Sequence, residues 1–228
     1  MPSLSGPRLA PLNGPASHLV VLVHGYGSDG EDLIGLAEHW QDEMQGAAFI
    51  APNGPDPLPG SPGYQWFPIS RIDPAEMLKG VERVGPMLDR FLDEELARLQ
   101  LPPEKLMLVG FSQGAMLSLH LGLRRPTPPA AIVGLSGLLP GAPPASPAPP
   151  PVFLAHGDAD QVVPVQAMLM AATTLGESGV RVQWHLAHGV GHGVDPQTIK
   201  LVGGFLALAA RGQLAASGPA STSLSARA

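Results

Sequence analysis

The chain has 228 residues, 44% of them hydrophobic, enough for one domain with a buried sheet. A formal net charge of −6 gives no electrostatic support for binding nucleic acid or an anionic membrane surface, and zero cysteines exclude disulfides and a cysteine nucleophile. No run of eighteen apolar residues is present, so no membrane span is expected, and residues 1–15 show neither a basic nor an apolar export segment, which points to a cytoplasmic protein.

In chain order, residues 1–16 are rich in Ala, Ser, Gly and Pro and are expected to form a mobile tail. The domain is expected over residues 17–212. It opens with an apolar strand over 19–23, followed by a Gly-rich loop and a helix over 31–40. A strand over 47–51 comes next, then a helical pattern over 74–99 with a break near Gly85-Pro86. Strands over 105–109, 131–135, 152–155 and 181–186 alternate with helices over 113–124, 164–177 and 196–210. The proline-rich stretch 140–151 reads as a stiff connector and residues 213–228 as a second mobile tail. Apolar strands separated by helices predict an α/β fold, a mostly parallel central sheet with helices on both faces.

The chemistry concentrates in Gly110-Phe111-Ser112-Gln113-Gly114, at the junction of a predicted strand and helix. Gly-x-Ser-x-Gly in that setting is the nucleophile elbow, a sharp turn that exposes one serine at a helix N-terminus. In a chain with 28 glycines the pattern alone is weak, and a helix N-cap is the alternative for Ser112. A serine nucleophile also needs a base and an orienting acid, in the chain order Ser, Asp or Glu, His. His156-Gly157-Asp158-Ala159-Asp160 follows one predicted strand and His188-Gly189-Val190-Gly191-His192 follows another. Ser112, Asp160 and His192 fit the order, each on a loop at the C-terminal end of a strand. Asp158 is the rival acid. His185 and His188 are assigned to packing or the surface, and His24 and His156 to shaping turns. The scattered histidines give no compact zinc site, and no cofactor or metal is expected. For the oxyanion, the backbone N–H groups of Gln113 and of Tyr26, in the loop His24-Gly25-Tyr26-Gly27, are the candidate donors. A phosphate-binding loop is the alternative for 19–30, but its Gly-Lys-Ser/Thr ending is missing.

Six segments together resemble the bacterial phospholipase/carboxylesterase family, which includes the acyl-protein thioesterases and has the α/β-hydrolase fold. They are His24-Gly25-Tyr26-Gly27, Ala51-Pro52-Asn53, Trp66-Phe67, the serine elbow, His156 to Pro164 and Gly191-His192-Gly193. The resemblance spans roughly residues 18–208. It implies Ser112 as nucleophile, Asp160 rather than Asp158 as acid, His192 as base, and Tyr26 and Gln113 as oxyanion donors. It also places residues 63–68 beside the acyl pocket. The long 140–151 connector and His188 depart from the family pattern, at the pocket rim.

These residues predict a serine carboxylesterase acting through an acyl-enzyme on a small-molecule ester. Trp66, Phe67, Leu33, Ile69 and Val163 are assigned to an apolar acyl pocket, with ordinary core as the alternative. With no long lid insertion, the site is expected to be open and to favour short- to medium-chain esters. Acyl-protein thioesterase or lysophospholipase activity uses the same groups, and a non-catalytic binding module on this fold is the alternative of another class. A homodimer is left open.

Overall fold

The computed structural model describes residues 4–214. Nine strands, five α-helices and a short 3-10 turn (Pro103–Lys105) follow one another in these residues. Strand β1 (Arg8–Leu9) precedes β2 (His18–Val23), helix α1 (Gly30–Glu38) and β3 (Ala47–Ile50). A small antiparallel pair, β4 (Asp56–Pro57) and β5 (Tyr64–Gln65), leads to the long helix α2 (Pro74–Arg98). Then come β6 (Leu106–Phe111), α3 (Gln113–Gly122), β7 (Ala131–Leu135), β8 (Val152–Gly157), α4 (Gln166–Glu177), β9 (Val182–Ala187) and α5 (Pro196–Ala210).

Seven strands form one sheet in the order β1-β3-β2-β6-β7-β8-β9, parallel throughout except for β1 against β3. Alternate residues of each central strand enter opposite cores. Leu19, Val21 and Val23 of β2 and Leu106 and Leu108 of β6 join a cluster with α2, α3 and α4. Val20, Leu22, Met107 and Val109 join a second with α1 and α5. A strand period of two, apolar at both phases, is what a sheet covered on both faces requires. Every parallel strand therefore delivers its following loop to one edge of the sheet, where the candidate residues lie.

Two expectations need correction. The N-terminal segment is part of the domain from residue 4 onward. Leu4 is buried in the first core, Asn53 and Ala51 donate their N–H groups to Ser5 and Pro7 carbonyls at 2.9 and 3.1 Å, and Arg8 bonds Glu95 at 2.6 Å. Its few apolar groups are offset by backbone pairing that covers the free edge of β3. Helix α2 also runs unbroken through Gly85-Pro86. Val81, Val84, Leu88, Phe91, Leu92 and Leu96 keep one apolar stripe across the proline, and Pro86 itself lies on the exposed face. Continuous burial on one side outweighs the roughly 3 kcal/mol that an interior proline costs. Of the predicted C-terminal tail, Gln213 and Leu214 are described, and Leu214 packs against the second core. The remainder, 215–228, lies outside the described residues, as do residues 1–3 of the predicted N-terminal tail.

Candidate active site

The turn from β6 into α3 sets the centre of the site. Ser112 has φ 52° and ψ −114°, a backbone conformation that costs a non-glycine residue on the order of 1–3 kcal/mol. Its surroundings fix it there. The Ser112 N–H donates to Leu135 O at 2.8 Å, while Ser112 O accepts from the N–H groups of Ala115 and Met116. The flanking glycines are steric requirements. A Cβ on Gly110 would overlap the Gly114 carbonyl, and one on Gly114 would overlap that of Val23. Ser136, after β7, shares the positive φ at 50°, but its Oγ is directed at Gly193 O, 3.4 Å away.

A hydrogen-bonded chain leads from Ser112. Its Oγ lies 3.0 Å from His192 Nε2, and His192 Nδ1 lies 2.7 Å from Asp160 Oδ2. The Asp160 side chain is fully buried. Its Oδ1 accepts the N–H groups of Val162 and Val163 at 2.8 and 2.9 Å. Burial alone would push the carboxyl up; the bonds from His192, Val163 and Val162 outweigh it and hold Asp160 below the ordinary carboxylate range. The group is thus an anion aimed at one imidazole nitrogen. That leaves Nε2 as acceptor for the serine hydroxyl. Phe111 stacks against the His192 ring with centroids 5.0 Å apart.

The structure separates the two aspartates. Asp158 bonds His188 Nδ1 at 2.9 Å and the Gly189 N–H at 2.7 Å on the surface, away from His192. The bond from His188, then that from Gly189, lowers its pKa. His188, with a side chain 82% exposed, ties two loops together. His156 was expected to shape a turn. Its Nε2 reaches Val163 O at 2.8 Å, in keeping with that role, and also lies 3.2 Å from Asp160 Oδ2. The i,i+4 spacing across the turn was the signal for this contact.

The two candidate oxyanion donors flank the serine. The Gln113 N–H is at the first position of α3, where no preceding turn can accept it. Gly25 is packed so closely that a Cβ on it would be 3.2 Å from Ser112 Cβ, which brings the 25–28 loop against the serine. Gly27 N–H donates to Tyr64 O at 2.8 Å, whereas the Tyr26 N–H has no partner among the described residues.

The expected acyl pocket needs correction. Trp66, Phe67 and Val163 are buried to 1% exposure or less and offer no surface to a ligand. Leu33 packs into the second core, and Ile69 is a half-buried residue against the first. Trp66 instead acts as a bracket. Its indole Nε1–H donates to His24 O at 3.0 Å and its backbone N–H to Gln113 Oε1 at 2.8 Å, while Gln113 Nε2 donates to Phe67 O at 2.7 Å. An apolar groove of about 270 Å³ lies elsewhere, lined by Pro74, Leu138, Leu139, Ala167, Met170 and Ala171. It begins one residue past Gly137, where a Cβ would come within 3.0 Å of Ser112 O. The Leu138-Leu139 pair, held between Gly137 and Pro140 in a loop after a strand, was its legible trace.

Among the described residues no group of three or more His, Cys, Asp or Glu side chains is placed to hold a metal ion, and no helix is long and apolar enough to cross a membrane.

Sheet order, elbow and hydrogen-bonded chain define the class: an α/β-hydrolase, and within it a serine hydrolase. A model of the phospholipase/carboxylesterase family matches residues 6–210. Acyl-protein thioesterase 1 of Gibberella zeae is 30% identical over 227 residues, covering 89% of this chain and 97% of the relative. The crystal structure of esterase PE8 superposes with a TM-score of 0.84 at 43% identity, covering 90% of this chain and 98% of that one. Zea mays acyl-protein thioesterase 2, at 24% identity and TM-score 0.72 over 89% and 97% of the two chains, speaks to the fold alone. The chain belongs to the phospholipase/carboxylesterase family.

Proposed function

We propose that the protein hydrolyses carboxylic esters of short to medium acyl chain through a covalent acyl-enzyme at Ser112. The reading is carried by the unbroken relay from Ser112 Oγ to His192 to the buried Asp160 anion. His192 Nε2 removes the hydroxyl proton as Oγ attacks the substrate carbonyl carbon. The negative charge then moves to the carbonyl oxygen, where the Tyr26 and Gln113 N–H groups receive it. Collapse of the adduct breaks the bond to the leaving group, which takes the proton from His192. Water repeats the sequence on the acyl-enzyme and releases the acid and free Ser112. Asp160 holds the imidazole with Nδ1 protonated and stabilises the imidazolium. All these groups come from one chain, so the reaction needs no second copy.

The acyl chain enters the groove beside Leu138. At about 270 Å³ it falls just below the range that accommodates drug-sized ligands, which favours shorter chains. The near full-length likeness to an acyl-protein thioesterase supports a second reading, with a thioester as the scissile bond. The same relay serves either.

Paired oxoesters and thioesters of increasing chain length, assayed with wild type and Ser112→Ala, test both. Ser112→Ala is expected to lose at least about 10³-fold in kcat, and mass spectrometry of quenched wild type is expected to find the acyl group on Ser112. Turnover retained by a folded Ser112→Ala protein refutes the mechanism.

A further inference from the structure

The proposed mechanism depends on the direction of one peptide group, between Gly25 and Tyr26. Such a group needs a restraint, because glycine backbone turns at little steric cost. The restraint is visible in His24, a fully buried residue at the end of β2. Both of its ring nitrogens face backbone groups. The Gly54 N–H donates to Nε2 at 2.8 Å, so Nε2 carries no proton. The proton of the neutral ring is therefore on Nδ1, which donates to Gly25 O at 2.7 Å. Burial lowers the pKa of His24 and keeps the ring in this neutral form.

A trans peptide is planar, and its C=O and N–H point in opposite directions. Holding Gly25 O against the His24 ring therefore turns the Tyr26 N–H away from that ring. Two further contacts restrain the assembly. Trp66 lies against the His24 ring with centroids 5.3 Å apart and donates its indole N–H to His24 O at 3.0 Å. Ser28 N–H makes a longer bond to Gly25 O at 3.3 Å. A flip of the Gly25–Tyr26 peptide would present a carbonyl where the oxyanion forms and leave the His24 Nδ1–H buried without an acceptor. Leaving a buried donor unpaired is unfavourable, which biases the peptide towards the observed orientation.

We propose that His24 is a positioning residue for ester hydrolysis, locking the Gly25–Tyr26 peptide so that the Tyr26 N–H stays free for the oxyanion. The inference rests on the reading of Tyr26 as a donor. His24 itself touches no reacting atom. Its contribution is to the transition state, where the oxyanion is present, and not to binding of the ground-state ester.

The test compares His24→Leu, His24→Asn and Tyr26→Pro with wild type, counting active sites by fluorophosphonate titration. His24→Leu is expected to lose about 10²–10³-fold in kcat with KM within a few-fold. An alkyl trifluoromethyl ketone, whose adduct with Ser112 carries an oxyanion, should weaken by the same factor. His24→Asn can still direct an amide N–H at Gly25 O and should recover at least about tenfold of that loss, by the charge-neutral bond it restores. A lower melting temperature with kcat and ketone affinity unchanged per active site overturns the proposal, as does a loss confined to KM. If His24→Leu does not fold, nitrogen NMR of histidine-labelled wild type decides, with His24→Asn assigning the signal. A Nδ1–H tautomer supports the lock, and a Nε2–H tautomer overturns it. Tyr26→Pro, which deletes the N–H itself, separates the two layers of the argument. Unchanged kcat in Tyr26→Pro removes the donor reading and the lock with it. Damage in Tyr26→Pro without damage in His24→Leu removes the lock alone.

Discussion

Asp160→Asn and Asp158→Asn make the same chemical change two residues apart, and the structure predicts very different costs. The Asp160 carboxylate accepts three hydrogen bonds. Val162 and Val163 N–H meet Oδ1 and His192 Nδ1 meets Oδ2, while His156 Nε2, which bonds Val163 O, lies 3.2 Å from Oδ2. An asparagine has only one acceptor oxygen. If that oxygen stays on the valine N–H groups, its NH2 confronts the His192 Nδ1–H, and the imidazole must present the wrong tautomer to Ser112. If it turns to the histidines, the NH2 confronts two backbone donors. Neither orientation restores the negative charge that stabilises the imidazolium. A loss of about 10⁴-fold in kcat is expected, with a buried donor left unpaired at about 1–3 kcal/mol of stability. Asp158 bonds an exposed histidine and one loop N–H, and such surface pairs contribute little, so its loss should stay below about tenfold. The assay is kcat/KM on one activated ester, per titrated active site, well below each variant's melting temperature. Two folded variants with the order reversed, or Asp160→Asn within tenfold of wild type, would refute the assignment of the acid.

Trp66→Ala should lower the melting temperature by about 6–20 °C, from a truncation worth about 3–5 kcal/mol in a domain of this size, and leave the acyl-chain-length profile unchanged. Met170→Trp should do the converse: Met170 is 69% exposed on the groove rim, so its enlargement should shift preference towards shorter chains at unchanged stability, by about 1–3 kcal/mol per excluded methylene. A profile that moves with Trp66 and not with Met170 would return the acyl pocket to the aromatic pair. Stability should also fall on the acid side. Burial lowers the pKa of His24 and His120, and that of His18 to about 4, with Lys105 reinforcing burial at His18 and Arg124 at His120. The unfolded chain, with histidines near ~6.5, then takes up protons before the native state does, so their contribution is intact above ~6.5 and is lost as pH falls towards 4. Chemical-denaturant midpoints at pH 7.5 and 5 check this, and a higher midpoint at pH 5 would contradict it.

The elements that carry the site were legible because each leaves a local signature. A both-phase apolar run marks a strand buried on two faces, and β2, β6, β7 and β8 all show one. Glycines two residues either side of Ser112 mark a close approach of backbones that the structure displays. The choice between Asp158 and Asp160 needed the family likeness, since both lie in one turn and only the partner histidines separate them. What escaped the residue-by-residue reading depends on contacts across the fold. Trp66 pairs with His24 and Gln113, more than forty positions away in either direction, and its sequence neighbours do not say which face it turns to them. The two-residue β1 is too short to show a period, and its place is set by the open edge of β3. The intact helix at Pro86 is decided by a stripe of burial that extends well beyond the local breaker.

The burial of Trp66 moves the proposed seat of acyl selectivity. Gln113 contributes its backbone N–H on the serine side, while its side-chain amide closes on Trp66 N–H and Phe67 O with both polar atoms satisfied. The other end of Trp66 holds His24 O, beside the second donor loop. One strap thus spans the two segments that carry the candidate oxyanion donors and sets their separation. A residue bound at both ends in this way cannot also yield to acyl chains of different length without disturbing the chemistry. Selectivity has to come from surfaces not tied to the donors, and the groove of Leu138, Leu139 and Met170 meets that condition. It is formed by the loop after β7, by α4 and by Pro74 at the start of α2, and Gly137 packs against the elbow. If the acyl chain occupies this groove as proposed, variation in the 140–151 connector, whose Gly141 and Ala142 line it, is expected to retune the acyl preference while the relay of Ser112, His192 and Asp160 stays fixed.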